Sequence, residues 1–160
     1  MKILGVGEFA VTATKGESLR TYALGSCVGV VALDPVHRAV GMVHVALPQS
    51  ATHPGRAKEN PGYFADTGIA ALIDAMASVG SHPAGEGLIF KIASGARILD
   101  LHNGFEIGRK NRLDVRRALW RRGLVARAQD LGGRQSRSLE ATVDSGKVTV
   151  TSAGRESWEI

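Results

Sequence analysis

Apolar positions along this chain fall into two patterns, short runs rich in β-branched residues and one stretch with helical spacing. Residues 6–12 and 19–24 read as strands around a Lys15-Gly16 turn. Residues 28–33 are a continuous apolar run ended by Asp34-Pro35, and residues 39–47 are a second, closed by Pro48. Unbroken runs of this length suit strands covered on both faces. Residues 49–62, rich in Ser, Thr, Pro, Gly and charge, read as a mobile loop. Asn60-Pro61 then resembles an N-cap followed by a proline at the first helical position. Ile69, Leu72, Ile73, Met76 and Val79 recur at helical spacing up to Gly80, a natural stop. Residues 88–93 read as a strand and 94–110 as a glycine-punctuated connection. Asn111 then caps a second helix that runs to about Arg122. Residues 124–129, 138–143 and 147–151 read as strands, the last two joined by an Asp144-Ser145-Gly146 turn. Strands at both ends with two helices between them give an α+β class. No repeat or linker interrupts the pattern, so one domain over residues 1–160 is expected.

Composition narrows this picture. Only 5% of residues are aromatic against 44% hydrophobic overall, so Val, Ile, Leu and Ala must fill the core. The net charge of +5 and a pI near 9.8 favour an acidic partner. Arg116, Arg117, Arg121 and Arg122 crowd the second helix. No aromatic platform is read beside them, so a solvated face is preferred to a nucleic-acid surface. A single cysteine excludes an internal disulfide and fits a reducing compartment. Without a signal-like run at the N-terminus or a stretch of roughly 20 apolar residues, the expected location is the cytoplasm, with no membrane insertion.

The candidate chemistry lies at the first long apolar run. Gly25-Ser26-Cys27 falls where one strand ends and the next begins. A hairpin centred on Pro35-Val36 would place Val31 opposite Val40, Gly29 opposite Met42 and Cys27 opposite His44. Opposed residues have Cβ atoms roughly 4.5–5.5 Å apart, so a thiol and an imidazole would stand side by side. An imidazole there can take the thiol proton and favour thiolate. Thr21, on the strand entering the turn, is a candidate to orient the imidazole. Gly25 would permit an unusual turn conformation, and backbone N–H groups of the Gly25-Ser26 turn could face an oxyanion. The simpler alternative is that Cys27 is a small core residue. His37, His44, His53, His82 and His102 show no close-spaced ligand pair, so no metal is expected.

The pattern resembles the chemoreceptor glutamine deamidase family (CheD). The resemblance rests on Thr21-Tyr22-Ala23-Leu24-Gly25-Ser26-Cys27-Val28, Asp34-Pro35, Gly41-Met42-Val43-His44 and Leu47-Pro48. It continues through Asn60-Pro61-Gly62-Tyr63, Lys91-Ile92, Gly95-Ala96, Ile107-Gly108, Asn111, Asp130, Gly132-Gly133, Arg137 and Gly146-Lys147-Val148. Ser94, Val40 and Ser136 stand where glycines are usual. The resemblance implies a layered α/β sandwich of mixed, mainly antiparallel strands. It implies a Cys27–His44–Thr21 site that needs no cofactor and hydrolyses glutamine amides on methyl-accepting chemotaxis receptors. It also implies regulation through a CheC-type phosphatase. A cysteine deamidase with another protein substrate, or a non-catalytic adaptor binding that phosphatase, would use the same residues and fold.

Overall fold

A computed structural model describes residues 1–95, 104–131 and 135–160. Ala96, His102, Gly132 and Gly133, singled out in the sequence, lie outside the described residues. The strands are β1 Lys2–Leu4, β2 Phe9–Thr12, β3 Ser18–Leu24, β4 Val28–Asp34, β5 Ala39–Val45, β6 Ile89–Ser94, β7 Ala126–Asp130, β8 Arg137–Thr142, β9 Val148–Ser152 and β10 Trp158–Glu159. The helices are α1 Pro54–Glu59, α2 Ala65–Ala77 and α3 Gly104–Trp120.

The strands form two five-stranded sheets, ordered β1-β3-β8-β9-β10 and β2-β5-β4-β6-β7. Pairing is antiparallel except at β1–β3 and β6–β7, as expected for a mixed, mainly antiparallel layered α+β sandwich. The second sheet is the middle layer. One of its faces packs Val28, Val30, Ala32, Val43 and Val45 against Ile69, Leu72, Ile73 and Met76 of α2 and Val115 and Leu119 of α3. The other packs Val31, Leu33, Val40 and Met42 against Leu19, Leu139, Ala141, Val148 and Val150 of the first sheet. Double coverage explains why β4 and β5 are buried at every position and lack polar alternation.

Several boundaries differ from the sequence expectation. The strand expected at 6–12 is confined to β2, Phe9–Thr12, and a further strand, β1, precedes it in the other sheet. The chain crosses between them at Gly5–Glu8, with Gly7 at φ 79°. Residues 49–62 hold two 3₁₀ turns and α1 rather than an unstructured loop. They are tied down by Ser50, whose N–H and hydroxyl both donate to Asp66 (3.0 and 2.6 Å). Helix α2 begins after Phe64, and Asn60 makes no side-chain cap. Helix α3 begins at Gly104, so Asn111 lies inside it rather than at its start. Gly108, which argues against helix there, packs against another segment. A Cβ at Gly108 would stand 3.5 Å from the Ser26 Cα, so the helix meets the Gly25–Cys27 turn at close range.

Candidate active site

The ends of β3, β5 and β6 meet the start of β4 at one edge of the sandwich, and Thr21, Cys27 and His44 gather there. The β4–β5 register is displaced by two residues from the expected hairpin. Gly29 faces His44, Val31 faces Met42 and Val28 faces Val45. Cys27 therefore does not stand directly opposite His44 but diagonally from it. The cause is the connection, a turn that keeps Asp34 paired with Ala39. Asp34 accepts the N–H groups of Val36 and His37 (2.9 and 3.1 Å), and its other oxygen meets the His37 ring and the Ser81 hydroxyl. These bonds hold its carboxyl down at about 2, against the desolvation that raises it.

A displacement of two preserves the face, because side chains alternate with a period of two. Cys27, half-buried, packs against the inter-sheet cluster. His44 enters the same layer, where it reaches Thr21 of the opposite sheet. The His44 backbone bonds outward, its N–H to Glu8 and its carbonyl to Gly7. Gly29 and His44 are consequently a non-hydrogen-bonded pair, the closer of the two antiparallel spacings. A Cβ at Gly29 would lie 2.7 Å from Leu139 Cδ2 and 3.2 Å from Leu24 Cδ1, so the side chains that wall this space would have to shift to admit one.

Proton counting sets the histidine tautomer. The Thr21 hydroxyl, fully buried, lies 2.8 Å from the Leu4 carbonyl, which can only accept. Its one proton goes there. The same oxygen lies 2.7 Å from His44 Nδ1 and must accept from it, so Nδ1 carries the hydrogen. Nε2 is then a bare lone pair. It is buried and has no partner among the described residues. Burial lowers the His44 pKa to about 4 and raises that of Cys27 above its ordinary value. The expected resting thiolate is therefore disfavoured: desolvation holds both groups neutral, a thiol beside an unprotonated base.

The turn itself departs from expectation at Gly25. Its N–H bonds to Ala23 O (3.0 Å), which leaves the N–H groups of Ser26 and Cys27 as the donors of the Gly25–Cys27 turn. The left-handed residue is Ala23, φ 57°, next to a register break between β3 and β8. From the far side β6 presses on the turn. A Cβ at Gly95 would fall 1.2 Å from Leu24 O. Sequence reasoning missed the role of Asn111. It is fully buried and donates both amide hydrogens, to Ser26 O and Ala46 O, each at 2.9 Å.

His37 is held by Asp34, and His53 and His82 lie on other surfaces. Among the described residues no three His, Cys, Asp or Glu side chains group as a metal ion would require. On α3, Arg116 bonds Gln129 and Arg117 pairs with Asp114. Trp120, beside these arginines, is 66% exposed. Among the described residues no helix is long and apolar enough to cross a membrane.

Comparison with known proteins decides the family. The sequence model described as "CheD chemotactic sensory transduction" matches residues 46–152. The chain belongs to the CheD family. Full-length relatives extend the match over the Gly25–Cys27 turn. A probable chemoreceptor glutamine deamidase CheD of Syntrophotalea carbinolica is 42% identical over 158 residues, covering 99% of this chain and 98% of the relative. The chemoreceptor glutamine deamidase CheD of Thermotoga maritima is 37% identical over 153 residues, covering 96% and 92%. Among solved structures, the Bacillus licheniformis hypothetical protein YfiH aligns with a TM-score of 0.46 at 16% identity, covering 79% of this chain and 51% of that one. That likeness is too slight to carry an argument. The family-model match begins after His44, so it leaves the roles of Thr21, Cys27 and His44 to geometry.

Proposed function

We propose that this CheD-family protein hydrolyses glutamine side-chain amides of methyl-accepting chemotaxis receptors to glutamate and ammonia. Cys27 is the nucleophile, His44 the general base and acid, and Thr21 the group that positions His44. The observation that carries the reading is the Thr21–His44 bond, which leaves Nε2, without a partner among the described residues, in the inter-sheet layer that Cys27 also borders. Relatives named chemoreceptor glutamine deamidases support the substrate.

The steps follow from a neutral resting pair. His44 Nε2 takes the Cys27 proton as sulfur attacks the amide carbonyl. The developing oxyanion meets N–H groups of the Ser26-Cys27 turn. The imidazolium gives its proton to the departing nitrogen, which leaves as ammonia, and a thioester remains. Nε2 then takes a proton from water as its oxygen attacks the thioester. Collapse expels the Cys27 sulfur, which recovers the proton, and glutamate is released.

Intact-mass analysis of receptor cytoplasmic fragments tests this, since each conversion adds roughly one mass unit and releases one ammonia. A wild-type protein that shifts no fragment, or a Cys27→Ala variant that shifts them equally, would overturn it. The proposed compartment is the cytoplasm, whose reducing pool would keep Cys27 a free thiol. A CheC-type phosphatase is the regulator the family resemblance suggests, and co-elution of the two purified proteins tests that pairing.

A further inference from the structure

We infer that Asn111 is a positioning residue of the reaction: it fixes the Ser26–Cys27 peptide so that the Cys27 N–H serves as an oxyanion donor. The inference rests on the deamidase reading above. Asn111 lies within α3, far in sequence from both groups it touches, and is fully buried. Both its partners, Ser26 O and Ala46 O, are carbonyls and can only accept. Only the amide nitrogen can face them, so the orientation of the side chain is set by chemistry. Its Oδ1 meets no donor among the described residues. A buried acceptor left in that state is unfavourable, and an apolar residue would avoid it.

The two carbonyls belong to the two halves of the site. Ser26 O is part of the peptide that continues into Cys27. Ala46 follows β5, two residues after His44. One amide thus ties the nucleophile's turn to the base's strand. The Ser26–Cys27 peptide is trans, so its C=O and N–H point in opposite directions. Holding Ser26 O against α3 therefore aims the Cys27 N–H away from α3. A hydrogen bond at the carbonyl also polarises the peptide and strengthens its N–H as a donor. Gly108, one turn earlier on α3, lies against the same turn: a Cβ there would be in van der Waals contact with Ser26, 3.5 Å from its Cα.

Two reactions of Cys27 separate this role from simple support of the turn. Amide hydrolysis develops an oxyanion, whereas alkylation by iodoacetamide displaces iodide at a saturated carbon and develops none. With Asn111→Ala, kcat on a short glutamine peptide should fall roughly 30- to 300-fold while KM moves less than about threefold. The alkylation rate should stay within about twofold of wild type. Asn111→Asp keeps the shape and serves if the alanine variant does not fold. Its ionised carboxylate cannot donate, but its protonated form can restore one bond, so its kcat should recover as pH falls through a raised carboxyl pKa. Unchanged kcat in the variants overturns the inference, and so does a parallel loss of turnover and alkylation, which would mark Asn111 as a general brace. Wild-type protein inert on both peptide and receptor fragment would instead overturn the deamidase reading.

Discussion

Thr21→Val removes one hydroxyl from the site and little else, because valine has nearly the same shape. Thr21 is fully buried, and its hydroxyl donates to Leu4 O at 2.8 Å and accepts from His44 Nδ1 at 2.7 Å. The substitution strands a buried Nδ1–H and deprives a carbonyl of a donor. A buried polar group left unpaired costs about 1–3 kcal/mol, so a loss of about 2–6 kcal/mol in unfolding free energy is expected for the two. The catalytic loss has a separate origin. Without its acceptor, the Nδ1–H tautomer forfeits one neutral hydrogen bond of about 1–1.5 kcal/mol, and the ring can rotate. Each 1.36 kcal/mol is tenfold in rate, so kcat/KM should drop about 5- to 13-fold, short of the near-abolition expected for Cys27→Ala. Ammonia release on a receptor fragment measures the rate, and urea unfolding measures the stability. Thr21→Ser retains the hydroxyl and should keep kcat/KM within about threefold of wild type. A valine variant with wild-type kcat/KM would refute the tautomer argument. A serine variant as impaired as valine would show that packing, not the hydroxyl, is what matters.

Cys27→Ala should abolish turnover yet change stability by less than about 1 kcal/mol, because a half-buried thiol adds little to packing. The acid limb of kcat/KM should lie near pH 4, not 6.5, because burial holds His44 unprotonated down to about 4; a limb at 6.5 would mean the base is solvated. The same depression has a signed effect on stability. Below pH 6.5 the unfolded chain protonates His44 and the native state does not, so stability falls as pH drops from 6.5 towards 4, by about 3 kcal/mol in all, and this component should vanish in His44→Gln. Iodoacetamide alkylation of Cys27 should titrate above the range of a free thiol, since burial raises its pKa; a titration well below that range would restore the thiolate pair. Replacing Arg117 and Arg121, both exposed on the α3 side, with Glu should slow receptor turnover as rising salt does and spare a short peptide; receptor kinetics indifferent to both would make the arginines a solubilising face.

The chain by itself determined which strands pair and on which side of the sheet the candidate residues lie. Two unbroken apolar runs joined at Asp34-Pro35 suited a doubly covered strand pair. With a side-chain period of two, any even displacement of that pair keeps Cys27 and His44 on one face. The register was wrong by two residues and the pairing of faces survived. Helix α2 was legible for the same reason, since Ile69, Leu72, Ile73 and Met76 repeat with the helical period and all four are buried. What only the tertiary structure decided depends on contacts that leave no local period. The proton on His44 Nδ1 is set by a hydroxyl from the other sheet, and that hydroxyl is set in turn by the carbonyl of Leu4 in a three-residue parallel strand with no alternation to announce it. The roles of Asn111 and Gly108 appear only when α3 docks on the Gly25–Cys27 turn, because a buried amide or a close-packed glycine in a helix carries the same local signal as a helix end. The neutral resting state of the thiol and imidazole is likewise a property of burial. Their spacing along the chain suggested an ion pair, and the low-dielectric layer between two sheets removed the water that would have stabilised one.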